Sequence, residues 1–253
     1  MSVIVPFHGL TEHLVLAVES IAAQTASVAE VIIVDDASPS GPDGIAALRA
    51  RDWPFRLRCL RHDRNMGPGE ARNTAWSAAD PDVAFLAFLD ADDTWHPAKI
   101  AVQAAWMLAH PAFSWTAHRC GALAASEMPQ DVTFHELGPS GLLRTNSIAT
   151  PTVMVRRHVE TRFRHGWRYC EDLMLWLDLL NSGERGALLH VPLAMLGRRP
   201  KTRGGMTGML REMHWGELRV INALESEQRL SLASAVTWRS WLRLKYLARR
   251  VMR

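Results

Sequence analysis

Two apolar runs near the N-terminus constrain the fold of this chain more than any other feature. Val31-Ile32-Ile33-Val34 is an uninterrupted β-branched run, and Ser2-Val3-Ile4-Val5 is a shorter apolar one that Pro6 is expected to end. A strand with one wet face alternates apolar and polar residues, so a strand with no polar positions needs cover on both faces. The intervening sequence supplies that cover. In Glu12–Gln24, residues Leu14, Val18, Ile21 and Ala22 recur at helical spacing. Gly44–Ala50 predicts a second helix and Leu57–Leu60 a third strand. Gly67–Ala79 predicts a third helix, opened by the Gly67-Pro68-Gly69 turn. Val83–Leu89 predicts a fourth strand, and Lys99–Ala109 a helix after Pro97. Alternation of this kind predicts an α/β fold: a doubly wound, mainly parallel sheet with helices on both faces.

The second half is less regular. Residues 111–170 mix short apolar runs with turns, while Leu173–Leu180, Thr207–Leu224 and Leu230–Met252 predict helices. No linker is visible. The expected organisation is one domain over 1–226, divided near 110, and a basic amphipathic helix over 227–253. A chain of 253 residues, 48% hydrophobic and 22% charged, can bury a sizeable core. Cys59, Cys120 and Cys170 are far apart and form no CxxC pair, which argues against a disulfide framework or a structural zinc site. Neither a signal peptide nor an apolar run of about 18 residues is visible. The expected location is the cytoplasm, free or peripheral on the inner face of the membrane.

In open α/β sheets ligands bind beyond the carboxyl ends of the strands. Three polar clusters fall at such ends: Pro6-Phe7-His8, Asp35-Asp36 and Asp90-Ala91-Asp92-Asp93. Three carboxylates within four residues repel one another and suit a hard divalent cation, Mg2+ or Mn2+, that also accepts phosphate oxygens. A solvated acidic turn capping the next helix would look the same. Asp36 can accept hydrogen bonds from a ribose or a base, or serve as an Asx turn or N-cap. Arg72, in the first turn of the helix after Gly67, can hold a phosphate or a base edge with its planar fork. Glu171-Asp172 opens an apolar helix, where acids are commonly caps. Arg198–Thr207 is basic and glycine-rich, so Arg203 and Thr207 could close over a pyrophosphate. From Trp238 to Arg253, tryptophans and leucines interleave with arginines. Such a helix suits either an anionic membrane surface or packing on the domain with a solvated basic face.

Taken in order, Ser2–Pro6, Ser20–Thr25, Glu30–Ser38, Asn65-Met66-Gly67, Ala71-Arg72-Asn73, Leu89–Asp93 and Glu171-Asp172 resemble the family 2 glycosyltransferases of the GT-A fold. The match is dense over residues 2–110 and sparser to about 210. The final Lys245–Arg250 is similar to the tail of members that build bacterial surface polysaccharides. The resemblance implies a nucleotide-binding half over 1–110 and an acceptor half over 111–226. It implies that Pro6, His8, Asp36 and Arg72 form the nucleobase and ribose pocket, and that Asp90, Asp92 and Asp93 cover the metal-binding element, with Asp92 and Asp93 nearest metal or diphosphate. Asp172 becomes the base that takes the acceptor proton in an inverting transfer. The partners implied are a nucleoside diphosphate sugar, a uridine diphosphate sugar by frequency in the family, and an acceptor saccharide or lipid-linked saccharide. Nucleic acid is not among them. The sequence departs from the family at Phe7-His8-Gly9, where an aromatic residue and Asn are usual.

Two other readings stand beside this one. A sugar-phosphate nucleotidyltransferase would want a glycine-rich basic loop after the first strand, and Pro6-Phe7-His8-Gly9 is not one. A non-catalytic, membrane-attached binding protein would not require both the acid turn and Asp172.

Overall fold

The computed structural model describes residues 1–9, 11–39, 43–124, 127, 129, 131–197 and 209–251. The first half builds as the periodicity predicts. β1 (Ser2–Phe7), α1 (Thr11–Ala22), β2 (Glu30–Asp35), α2 (Asp43–Arg49), β3 (Arg56–Arg61), α3 (Pro68–Ala78), β4 (Phe85–Phe88), β5 (Thr94–Trp95) and α4 (Lys99–Ala109) follow in order. β3, β2, β1 and β4 lie side by side and parallel. Pro6 does not end β1, which runs on to Phe7. The β4 ladder reaches only Ile4, so Pro6 sits where β1 has β2 as its one neighbour and the missing N–H interrupts nothing on the other side.

Alternation along β1 and β2 explains their lack of polar positions. Ile4, Ile32 and Val34 enter a core shared with Trp76 of α3, and Val3, Val5, Val31 and Ile33 enter the opposite core with Leu14, Val18 and Ile21 of α1. Full burial of each such side chain contributes about 1.5–3 kcal/mol before entropy is counted.

The irregular segment contributes β6 (Trp115–Cys120), β7 (Phe134–Glu136), α5 (Pro139–Arg144), a single 3-10 turn (Thr150–Thr152) and β8 (Met154–Arg156), followed by α6 (Glu171–Asn181), β9 (Gly186–Met195), α7 (Leu210–Ser226) and α8 (Leu232–Val251). The sheet order is β3-β2-β1-β4-β8-β6-β9-β5, with β7 paired to β9. β8 is antiparallel to both neighbours, and β9 is parallel to β6 but antiparallel to β5 and β7. The result is an α/β sheet, parallel through its first half and mixed through its second, with helices on both faces.

α7 and α8 do not stand apart from the domain. Val220, Ile221, Leu224, Ala235 and Leu242 belong to the same core as Trp115 and Trp176. Arg164 and Arg229 both clamp Asp178 of α6, at 2.7 and 2.6 Å, and both also reach Glu227 between the last two helices. Among the described residues no helix is long and apolar enough to cross a membrane, and all three cysteines are free thiols.

Candidate functional site

β1, β2 and β4 end on one rim, and their polar residues are not equivalent there. Asp35 Oδ1 accepts from the Ser38 N–H at 2.8 Å, and its other oxygen pairs with Arg61. This acid is spent on a local turn. Asp36 reaches further. Its Oδ1 accepts from Met66 N–H at 2.8 Å and from His62 Nδ1 at 2.7 Å, and its Oδ2 accepts from Gly67 N–H at 2.7 Å. The Asn65-Met66-Gly67 turn is therefore tied to the end of β2, with Gly67 at φ 94° before Pro68 opens α3. An ionised carboxylate has about four acceptor positions. Three are used here. His8 is exposed, and its Nδ1 lies 3.0 Å from the Asp36 carbonyl. That carbonyl can only accept, so Nδ1 carries a proton.

The acid turn after β4 is pinned at both ends. Arg72 Nη2 donates to Asp90 Oδ1 at 2.6 Å. The Gly197 N–H, two residues past β9, donates to Asp93 Oδ1 at 2.9 Å. Gly197 fits there because it lacks a side chain: a Cβ would lie 1.7 Å from the Asp92 carbonyl oxygen. The three acids do not converge on one point. Among the described residues no three His, Cys, Asp or Glu side chains form a metal cage. On this tight turn Asp90 faces Arg72 while Asp93 accepts from Gly197. A hard divalent cation still fits. Such ions are commonly held by one or two carboxylates plus phosphate oxygens and water. The turn also wants positive charge: burial, then the charges of Asp90 and Asp92, push Asp93 up to about 8.

Arg72 is 4% exposed and joins the rim to the distant pair Glu171-Asp172. Its Nη1 lies 3.4 Å from Glu171 Oε1. The buried fork thus ties two acidic clusters together. Cys170, at φ 56°, turns the chain into α6 and presents both acids at the helix start. α7 approaches this turn closely, since a Cβ on Gly216 would stand 2.8 Å from Tyr169 Cβ. Burial and then the charge of Asp172 raise Glu171 to about 7, against the pull of Arg72. Asp172 is half-buried. Burial raises its pKa, and the Leu173 N–H at 2.7 Å, Arg72 and Asn146 oppose that shift. Asn146 Nδ2 donates to Asp172 Oδ2 at 3.2 Å.

Neither Asn146 nor Gly197 carries a motif that sequence reasoning could have used; each matters through a partner 26 or 104 residues away. Arg203 and Thr207 lie outside the described residues.

The profile of Glycosyl transferase family 2 matches residues 2–174. An uncharacterized glycosyltransferase of Rickettsia felis is 28% identical over 204 residues, covering 74% of this chain and 31% of its own length. The chain therefore spans about a third of that relative. TuaG of Bacillus subtilis (strain 168), a glycosyltransferase named for teichuronic acid biosynthesis, is 30% identical over 188 residues, covering 72% of this chain and 73% of TuaG. The Escherichia coli UDP-Glc:alpha-D-GlcNAc-diphosphoundecaprenol beta-1,3-glucosyltransferase WfgD is 27% identical over 193 residues, covering 74% and 72%. Among solved structures, S. aureus TarS 1-349 in complex with UDP-GlcNAc superposes with a TM-score of 0.67 at 20% identity, covering 87% of this chain and 65% of that one. The mannosyltransferase PcManGT from Pyrobaculum calidifontis, in complex with GDP-Man and Mn2+, gives 0.66 at 17% identity, covering 99% and 74%. At such identities the structural likeness concerns the fold.

Proposed function

This chain belongs to glycosyl transferase family 2, and we propose that it moves a sugar from a nucleoside diphosphate sugar to an acceptor hydroxyl with inversion at the anomeric carbon. The observation that carries this reading is the Arg72 bridge. It holds Asp90 of the acid turn at 2.6 Å and Glu171 of α6 at 3.4 Å, and so brings two acidic groups about 80 residues apart to one rim. An inverting transfer needs two such groups, one for the leaving diphosphate and one for the attacking hydroxyl.

Asp92 and Asp93 would hold a divalent cation, Mn2+ or Mg2+, together with donor phosphate oxygens. When bound, such an ion neutralises charge on the leaving diphosphate. The remaining tasks fall to the chain itself. Asp36 sets the 65–67 turn at the nucleoside pocket. Pro6 and His8 border the same pocket. Asp172 takes the proton of the acceptor hydroxyl, and its raised pKa improves it as a base near neutral pH. UDP-GlcNAc in TarS and UDP-Glc in the name of WfgD support a uridine diphosphate sugar as donor. The diphosphoundecaprenol acceptor in the same name supports a lipid-linked saccharide as acceptor.

The decisive test is melting against a panel of nucleoside diphosphates and their sugars, with and without Mn2+, for the parent and Asp172→Asn. A ligand that binds only the folded state raises the melting temperature. The expected result is a metal-dependent shift in both proteins, with transfer reduced on the order of 100- to 10,000-fold in Asp172→Asn. Near-normal turnover in that variant would remove Asp172 as the base.

The reading extends to a bilayer. α8 contains no acidic residue. Ala235 and Leu242 are buried, and Lys245 pairs with Glu217 at 2.8 Å. Facing away from the domain, Val236, Leu244, Leu247 and Val251 form one exposed apolar strip, with Arg243 and Arg250 along an edge. An apolar strip edged with arginine matches an anionic bilayer surface at the inner face of the cell membrane. Co-sedimentation with phosphatidylglycerol vesicles, absent with phosphatidylcholine vesicles and lost in Leu244→Glu/Leu247→Glu, is the expected outcome. Equal binding by the double variant would set this extension aside.

A further inference from the structure

We infer that Asn146 is a positioning residue for Asp172, fixing the plane of its carboxylate, and that the Glu217–Lys245 pair of the last two helices supports Asn146 across a water-sized cavity. The inference rests on the reading of Asp172 as the base.

Two donors hold the Asp172 carboxylate from opposite sides. Oδ1 accepts from the N–H of Leu173, one residue on in the same helix, at 2.7 Å. Oδ2 accepts from Asn146 Nδ2, just beyond α5, at 3.2 Å. The helix start alone would leave the carboxylate free to turn about its side-chain torsion. The second donor removes that freedom and still leaves acceptor positions for an incoming hydroxyl proton.

An ionised carboxylate only accepts, so Asn146 must present its NH2 group to Asp172. Its Oδ1 then faces away from Asp172, and there it is buried with no donor among the described residues. On that side lies a cavity of about 30 Å³ bounded by Leu142, Leu143, Asn146, Leu173, Glu217 and Lys245. This is room for one water, and the polar partners such a water needs are present. Lys245 Nζ donates to Glu217 Oε1 at 2.8 Å, with 15% and 12% of the two side chains exposed. An ammonium has three donors, so Lys245 can serve Glu217 and a water that donates to Asn146 Oδ1. By this route the inner face of α8 reaches the proposed base through three hydrogen bonds, by way of the water and Asn146.

Asn146 is also a neutral group among charges. Around Asp172 stand Glu171 and the Cys170 thiol on its own segment, Arg72 of α3 and Asp90 after β4, with Glu217 of α7 and Lys245 of α8 acting on Cys170. A neutral donor favours the ionised carboxylate without adding a further charge to that set.

The test uses the full chain and two readouts. The first is the titration of the Asp172 carboxyl by carbon NMR, assigned by comparison with Asp172→Asn and read without any ligand. The second is UDP release from UDP-GlcNAc. Asn146→Ala is expected to move the Asp172 midpoint upward and to lower turnover on the order of tenfold to a hundredfold, with little change in KM. Lys245→Met should move the midpoint in the same direction by less. Asn146→Ser, which keeps a hydroxyl donor, should fall between Asn146→Ala and the parent, and it replaces the alanine variant if that one does not fold. An Asp172 midpoint and a turnover both unchanged in a folded Asn146 variant would overturn the inference. Turnover that survives in Asp172→Asn would overturn the base reading instead, while the NMR midpoints still report the Asn146 hydrogen bond.

Discussion

In the parallel half of the sheet, acids reach the rim because strands end there. Asp35 closes β2 and Asp36 follows it, while Asp90 comes two residues after β4, so the strand ends bring them to the rim. In the mixed half no strand delivers Glu171 and Asp172. They sit at the start of α6, after a residue at φ 56°, and are held by Asn146 and Arg72 from other parts of the chain. Placement by backbone tolerates side-chain change. Placement by side-chain ties does not, because losing one partner strands the other in a buried position.

The largest expected effect comes from cutting the tie between the halves. Arg72→Met leaves Asp90 and the buried Glu171 without their shared cation, at a cost of about 3–5 kcal/mol. Denaturant unfolding should show that loss, whereas a change under 1 kcal/mol would mean the halves hold together without the bridge. Next is Gly197→Ala, which drives a methyl group against the Asp92 carbonyl. A cost of about 1–3 kcal/mol is expected, with the metal-dependent nucleotide shift in melting temperature diminished. If that shift is intact in the variant, the acid turn does not depend on the end of β9.

The smallest effect lies at the seam. Lys99 of α4 and His118 of β6 are fully buried, and among the described residues neither Lys99 Nζ nor His118 Nε2 has a hydrogen-bond partner. Burial holds the Lys99 pKa well below its ordinary value and lowers His118 to about 3. Below the ordinary lysine pKa the unfolded chain binds a proton at Lys99 that the folded chain refuses, so stability falls as the pH falls. His118 adds to this between its ordinary value of 6.5 and about 3. Lys99→Met should therefore stabilise by on the order of 1 kcal/mol at neutral pH, with the gain widening toward acid. A constant gain across pH would show that Lys99 is charged in the fold.

The same contrast decides what could be read without coordinates. Val31–Val34 announces a strand covered on both faces, and the helix expected over Lys99–Ala109 has those bounds in the structure. β9 pairs with three strands, yet Pro192 interrupts its apolar run in the sequence. The structure absorbs that proline opposite Arg119, where the β6 ladder shifts register. The acids were legible as clusters, since clustering is a property of neighbours in sequence. Their partners were not: Gly197 for Asp93, Gly67 for Asp36 and Asn146 for Asp172 belong to contacts that only the fold creates.

The double pinning of the acid turn has a thermodynamic consequence. Asp90 is fixed through Arg72, Asp93 through Gly197, and the next two residues, Thr94 and Trp95, are paired into the sheet against Met195 and Ala194. The conformational entropy of this turn is surrendered when the sheet forms. A ligand arriving there finds nothing left in the turn to order, so its affinity is not diminished by that term.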